Sequence, residues 1–314
     1  MKNLVYIQNN DGKINNNSLE SLTAIQKFAN TKNEEVYAVT FNKDIAEKLT
    51  VYNISKIIYI SNEELTTYNP QYYLSAFEQL NNKYSPKVFC FGHSYETRDW
   101  VPRLSARLDI PFISDCTGYT AESSLSLTRP IYQAKLNEKV ELTTNGIVSF
   151  QAGSFSIEEL EAGTAEIEEL SFDFSSTKIT IRPGEKFKEN AEGVDLTSAD
   201  IIVSVGRGIS KEENISVAES LATKLKAQIG ASRPVVDAGW LDHSRQIGSS
   251  GQTVSPKLYF SIGVSGAIQH LVGMKGSKNI IAINKDPNAP IFEIADYAVI
   301  GDIFEIVPKL TENL

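Results

Sequence analysis

The residues best able to do chemistry lie in the C-terminal half, where β-rich runs end in small and polar groups. DIIVSVG (200–206) runs into Gly206-Arg207-Gly208, and Ser232-Arg233 precedes PVVDAG (234–239). LYFSIG (258–263) ends in Gly263-Val264-Ser265-Gly266, NIIAIN (279–284) ends at Asn284, and DYAVIGD (296–302) ends at Asp302. An extra loop, Gln246-Ile247-Gly248-Ser249-Ser250-Gly251, falls between the second and third of these runs. Glycines at a strand end let a backbone approach a ligand closely, and free helix N-terminal N–H groups attract anions. Arg207 adds a fixed positive charge, and Ser210-Lys211-Glu212-Glu213 reads as a capping box opening a helix. Ser265 reads as the N-cap of the next helix, Ala267 to Met274. Two such openings beside an arginine suit a pyrophosphate. The third glycine of a dinucleotide GxGxxG is replaced by Lys211, which counts against an ordinary NAD site. His270, five residues past Ser265, is expected to offer a hydrogen bond or positive charge to an electron-rich ring. Gln269 and Arg233 add donors. No nucleophile–base pair, triad or carboxylate pair accompanies them, so the groups suit holding and tuning a ligand rather than cutting one.

These groups need a parallel sheet to bring them to one edge. The second half supplies strands at 200–206, 234–239, 258–263, 279–284 and 296–302. Helices are predicted over 212–227, 267–274 and 289–295 and at the C-terminus. That alternation specifies a doubly wound sheet, whose ligands bind beyond the carboxyl ends of the strands. The first half alternates similarly, with strands at 4–8, 35–41, 56–60 and 87–92 and helices at 18–30, 43–50, 70–83 and 95–108. From about Ile110 the rhythm changes to short strands at 117–128, 130–136, 139–143 and 146–150. Residues 158–173 carry seven acids and no base and read as a solvated face before a strand at 178–182. Pro183–Leu196 is polar and charged and reads as a linker, giving domains 1–190 and 191–314.

Composition narrows the function classes. The 314 residues carry 39 acids against 30 Lys and Arg, a net charge of −9, which argues against tracking a nucleic-acid backbone. No apolar run reaches the roughly 20 residues of a membrane span. Cys90 and Cys116 lack CxxC spacing and read as buried structural thiols. His93, His243 and His270 form no HxH or HExxH pair, so no metal site is expected. MKNLVYIQNNDGK enters a strand at once and resembles neither a signal peptide nor a transit sequence. A bacterial cytoplasmic location is the expectation, or the mitochondrial matrix for a processed eukaryotic protein.

At these same residues the sequence resembles the α subunit of electron-transfer flavoproteins. The resemblance rests on Ser232-Arg233-Pro-Val-Val-Asp237, Gln246-Ile-Gly and Leu258-Tyr-Phe-Ser-Ile-Gly-Val-Ser-Gly-Ala-Ile-Gln-His270-Leu-Val-Gly-Met274. Ala282-Ile-Asn-Lys-Asp286, Ala289-Pro-Ile-Phe292 and the GRG at 206–208 extend it. In the first half Thr97-Arg98-Asp99, Pro102 to Ala106 and Ser114-Asp115 also match, so the resemblance covers essentially the whole chain.

The resemblance implies an N-terminal α/β nucleotide-hydrolase-like domain and a C-terminal doubly wound FAD-binding domain. It also implies a heterodimer whose β subunit holds AMP or a second FAD. It implies a carrier without substrate chemistry of its own, taking electrons from acyl-CoA and related dehydrogenases, as in fatty acid β-oxidation. The electrons pass to a membrane quinone oxidoreductase. Carried over, the FAD contacts are Arg207, Ser232, Arg233, Gln246, Ile247, Gly248, Ser249, Ser250, Ser265, Gly266, Ala267, Ile268, Gln269, His270, Asn284 and Asp302. Arg233 and His270 would place positive charge near the flavin ring, favouring a reduced anionic flavin. Asn284 and Asp302 would serve the adenosine end. The family's Gly-Gln-Thr-Gly-Lys is here Gly248-Ser249-Ser250-Gly251-Gln252. Ser250 keeps a hydroxyl for flavin N5, Ser249 lacks the longer amide, and Gln252 lacks the positive charge. An electron-bifurcating subunit using NADH, a nucleotide-dependent oxidoreductase and an adenine-nucleotide binding module without redox chemistry remain the rival readings.

Overall fold

The computed structural model describes residues 1–121, 125–132, 135–184, 194–197 and 199–314. The chain divides into two compact units, Met1–Lys186 and Phe187–Leu314. Most of the linker expected at Pro183–Leu196 lies outside the described residues.

In the first unit β1 (Lys2–Tyr6) is followed by a hairpin of β2 (Asn9–Asn10) and β3 (Lys13–Ile14), then α1 (Asn16–Lys32). The series continues with β4 (Glu35–Thr40), α2 (Lys43–Leu49), β5 (Lys56–Ile60), α3 (Pro70–Tyr84), β6 (Val88–Gly92) and α4 (Tyr95–Leu108). Caps set the helix ends. The Asn69 and Ser94 side chains accept from Gln71 N and Thr97 N, with Pro70 pre-set at the first helical position. Then come β7 (Phe112–Cys116), β8 (Gly118–Ala121), β9 (Leu125–Ile131), β10 (Leu136–Leu142), β11 (Gly146–Phe150) and β12 (Ile167–Leu170). Seven strands form a parallel sheet in the order β12-β5-β4-β1-β6-β11-β7, as the alternation predicts. Leu4 and Tyr6 pack on one face with Phe77, Phe91 and Trp100, whereas Val5 and Ile7 pack on the other with Leu22, Ile25 and Phe28. A sheet buried on both faces explains why these strands read as continuous apolar runs.

Two expectations fail here. The strand expected at 178–182 is irregular, and the acidic stretch instead contains β12, paired with β5 at the sheet edge. Lys56 and Lys83 hold Glu168 at 2.8 and 3.1 Å, and their hydrogen bonds and charges bring its carboxyl down to about 2. Neutralisation from outside the stretch lets an acidic segment pair as a strand. The single strand expected at 117–128 is two, β8 and β9, which form an antiparallel sheet with β10. The strand expected at 130–136 also gives way: β9 ends at Ile131, β10 begins at Leu136, and Tyr132 and Lys135 between them are turn residues; 122–124 and 133–134 lie outside the described residues.

The second unit holds β13 (Ile201–Val205), α5 (Ile215–Leu225), β14 (Gln228–Ala231), α6 (Arg233–Asp237), β15 (Leu258–Ile262), α7 (Ile268–Met274), β16 (Ile280–Asn284), β17 (Tyr297–Ile300) and α8 (Ile303–Glu312). Its five strands are parallel in the order β14-β13-β15-β16-β17. The second strand is therefore Gln228–Ala231, and PVVDAG is not a strand. Ser232 ends the extended run, and Pro234 fixes φ for the short helix α6 that follows. The helix expected at 289–295 is a 3-10 turn over Pro290–Glu293.

Candidate functional site

In an open parallel sheet the ligand crevice opens where the chain reverses its direction of winding. After β13 the chain moves outward to β14, then crosses back to place β15 on the other side of β13. The reversal point lies between the carboxyl ends of β13 and β15. Gly206-Arg207-Gly208 and Gly263-Val264-Ser265-Gly266 emerge there. The two loops touch: Gly206 N donates to Ile262 O at 2.8 Å and Gly208 N to Gly263 O at 3.0 Å. A Cβ on Gly206 would lie 2.3 Å from Gly263 O, so no side chain fits between them. Among the described residues, the N–H groups of Ser265, Gly266 and Ala267 donate to no protein acceptor, and Arg207 lies exposed beside them. Free donors and a guanidinium at a strand end are what a pyrophosphate requires.

The helix openings differ from those expected. Ser210 sits at φ 69 and its hydroxyl donates to Gly208 O at 3.2 Å, so it caps no helix. Helix α5 begins at Ile215 without a side-chain cap. Ser265 does not cap α7 either; Ala267 holds the cap position, and Ser265 uses its carbonyl to accept from Ile291 N.

The loop Gln246–Ser250 is fastened on three sides. Ile247 N donates to Ala231 O at 2.9 Å, which extends β14. Gly248 N donates to Gln252 O, and Ser249 N to Gln269 O at 2.8 Å, which ties the loop to α7. The two backbones come so close that a Cβ on Gly273 would meet Gly248 N at 2.4 Å. Gly230 leaves room for the loop on the sheet side, since a Cβ there would meet Ile247 Cδ1 at 2.4 Å. The loop presents Ser249 and Ser250 to solvent, and the buried Gln246 amide donates to Ser250 Oγ at 3.0 Å. Gln252, where the resemblance expects a cation, does structural work. Its amide donates to Val194 O and Ser244 O and accepts from Leu196 N.

The remaining expected residues lie along the same edge. Ser232 is buried and its N–H donates to Val205 O at 3.0 Å. Arg233 is exposed and shares a 3.2 Å ion pair with Asp237, one helical turn on. Asn284 donates to Val264 O at 2.8 Å and accepts from Asp286 N, which steadies the Val264–Gly266 loop. Asp302 caps α8 by accepting from Phe304 N. Ile268 and Gln269 are exposed on the first turn of α7.

His270 departs from expectation most. It points into the core, 5% exposed, with Nε2 2.9 Å from the Tyr259 hydroxyl and Nδ1 3.1 Å from Ile247 O. Burial pulls its pKa down to about 4, so the imidazole is neutral at pH 7 and supplies no positive charge. Tyr259 is the residue missed from sequence. The available signal was a tyrosine on the inward side of an apolar strand, since a buried phenol needs a partner.

A cofactor with a pyrophosphate fits this edge. Free N–H groups and Arg207 suit the phosphates, and the 246–250 loop offers amide and hydroxyl donors.

Comparison with known proteins agrees. Residues 3–175 match the model of the electron transfer flavoprotein domain, and residues 195–275 match that of the electron transfer flavoprotein FAD-binding domain. The electron transfer flavoprotein subunit alpha of Bacillus subtilis is 37% identical over 308 residues, covering 96% of this chain and 94% of that one. That of Thermoanaerobacterium thermosaccharolyticum is 34% identical over 319 residues, covering 99% and 96%. That of Megasphaera elsdenii is 33% identical over 315 residues, covering 97% and 93%. With its fold, its glycine-lined reversal point and near full-length relatives in agreement, this chain belongs to the electron transfer flavoprotein family as an alpha subunit.

Proposed function

We propose that the chain is the FAD-carrying subunit of a heterodimer, with unit 1 as scaffold and partner surface and unit 2 as the flavin domain. The observation that carries this is the reversal point of the second sheet, where two glycine loops meet beneath unpaired N–H groups and Arg207. A bound flavin would supply one- and two-electron redox chemistry. The chain's own part is to hold it. Ser265–Ala267 and Arg207 bind the pyrophosphate, and Gln246, Ser249 and Ser250 orient the ring end. Asn284 braces the loop toward the adenosine end, Ser232 and Asp302 lie along the same edge, and Arg233 brings positive charge to the rim.

On this reading the partner is an electron transfer flavoprotein β subunit. Electrons arrive from acyl-CoA and related dehydrogenases and leave to a membrane quinone oxidoreductase, and the chain turns over no substrate itself. Among the described residues no helix is long and apolar enough to cross a membrane. A bacterial cytoplasmic location suits the sequence.

The test is to co-purify the chain with its partner and record the absorbance. Yellow protein, bleached by an acyl-CoA dehydrogenase with its substrate, supports the reading. Colourless protein that binds only AMP refutes it. Bleaching by NADH alone would replace the acyl-CoA donor with a nicotinamide one.

A further inference from the structure

The partners of His270 fix where its proton sits. Ile247 O is a carbonyl and only accepts, so Nδ1, 3.1 Å away, carries the hydrogen and donates. Neutral imidazole has one N–H, which leaves Nε2 as a lone pair. The Tyr259 hydroxyl, 2.9 Å from Nε2, is therefore the donor of that bond. The chain runs one way, from the Tyr259 O–H to Nε2 and from the Nδ1–H to Ile247 O. It starts on β15, passes through α7 and ends on the loop that carries Gln246, Ser249 and Ser250. Both side chains are buried, with Tyr259 wholly so.

We propose that Tyr259 is a positioning residue of the flavin site. It anchors Nε2 of His270 to β15, and the anchored ring's Nδ1–H pins the Ile247 carbonyl and with it the 246–250 loop. The inference rests on the flavin reading above and deepens it. His270 acts as a pin between core and loop.

Without the phenol hydroxyl, Nε2 is a buried lone pair with no donor. The ring keeps its Nδ1–H, because Ile247 O is the one acceptor left to it, but it loses the bond that holds its far side to β15, and its grip on the loop loosens. Tyr259→Phe keeps the ring and removes only the hydroxyl.

The experiment uses the full chain with its partner and FAD, labelled with 15N-histidine, at pH 7. The wild type should give a pyrrole-type nitrogen at Nδ1 and a pyridine-type nitrogen at Nε2 for His270. Tyr259→Phe should keep that tautomer, move the Nε2 signal to that of a pyridine-type nitrogen without a hydrogen bond, and weaken FAD binding by about tenfold, the effect of one lost buried hydrogen bond. Wild-type His270 protonated on Nε2, or doubly protonated, overturns the proposal. So does a Tyr259→Phe protein with an unmoved Nε2 signal and unchanged FAD affinity. If that variant does not fold, the wild-type spectrum decides alone. A wild-type complex that retains no flavin instead sinks the flavin reading on which the proposal stands.

Discussion

Gly206→Ala isolates the contact at the reversal point of the second sheet. Gly206 has φ −104, a conformation any residue adopts, so the substitution adds no backbone strain of its own. The added Cβ would lie 2.3 Å from Gly263 O and 2.5 Å from Val264 Cα. Both atoms are backbone, so relief requires the two loops to part by about 1 Å. Overpacking of this kind costs about 1–3 kcal/mol. Parting also strains the bonds from Gly206 N to Ile262 O and from Gly208 N to Gly263 O, at about 1 kcal/mol each. The total of about 3–5 kcal/mol corresponds to a melting temperature about 10–20 °C lower for a unit of this size. FAD affinity should fall at least tenfold, because Ser265–Ala267 move with Gly263. Gly239→Ala is the matched control. Gly239 has φ +76 and open space around its Cβ, so the change costs about 1 kcal/mol of left-handed strain and leaves the site intact. Calorimetry and FAD titration on both variants check this. A Gly206→Ala protein that melts with or above Gly239→Ala and binds FAD normally would refute the steric argument.

Glu20 is 7% exposed and accepts from Gly153 N, yet burial raises its pKa to about 7. Its folded pKa exceeds the unfolded value of 4.5, so stability is unaffected below pH 4.5, falls through the window to pH 7, and is lowest above it. Glu20→Gln should therefore melt with the wild type at pH 4.5 and exceed it by about 1–3 kcal/mol at pH 8; superimposable pH profiles would contradict this. Arg233→Ala should lower the flavin's one-electron potential by ~60–120 mV, one to two tenfold steps of about 59 mV. A potential unmoved in a spectroelectrochemical titration removes Arg233 from that role. Asn284→Ala loses the bonds to Val264 O and from Asp286 N and should weaken FAD binding several-fold at a cost of about 1–2 kcal/mol, read by titration calorimetry; unchanged binding would show that the loop stands without it.

What the chain's order of residues reveals, and what it conceals, follows from where the determining contacts lie. Strands β4, β5 and β13 are legible because both faces of their sheets are buried, which makes EVYAVT, KIIYI and IIVSV continuous apolar runs. Strand β14 is hidden because QIGA is short, and its glycine serves close packing by Ile247, a residue seventeen positions later. PVVDAG has strand composition, but one proline sets its backbone to helix. Strand β12 is hidden by its own acids, because Lys56 and Lys83, which neutralise Glu168, lie far away in sequence. The site divides similarly. Its small and polar groups are legible because they must follow strand ends, whereas the charge of His270 depends on its burial against Tyr259 and Ile247, which only the fold brings about.

The arrangement of charge around the reversal point bears on what the site can stabilise. The one histidine at this edge is neutral and directed inward, and both its nitrogens are engaged by protein. The cations expected at the ligand, Arg207 and Arg233, stand exposed at the rim, and Arg233 is already shared with Asp237. An exposed ion pair of that kind is worth at most about 1 kcal/mol, so Arg233 can leave Asp237 for an anionic ligand at little cost. Negative charge on a bound ring therefore meets fixed amide and hydroxyl donors held by the Tyr259–His270–Ile247 chain, and a guanidinium that competes with solvent. The fixed donors set geometry and the rim arginines set charge. Substitutions in the two groups should separate: loss of the pinned loop should weaken binding, and loss of Arg233 should move the potential while binding holds.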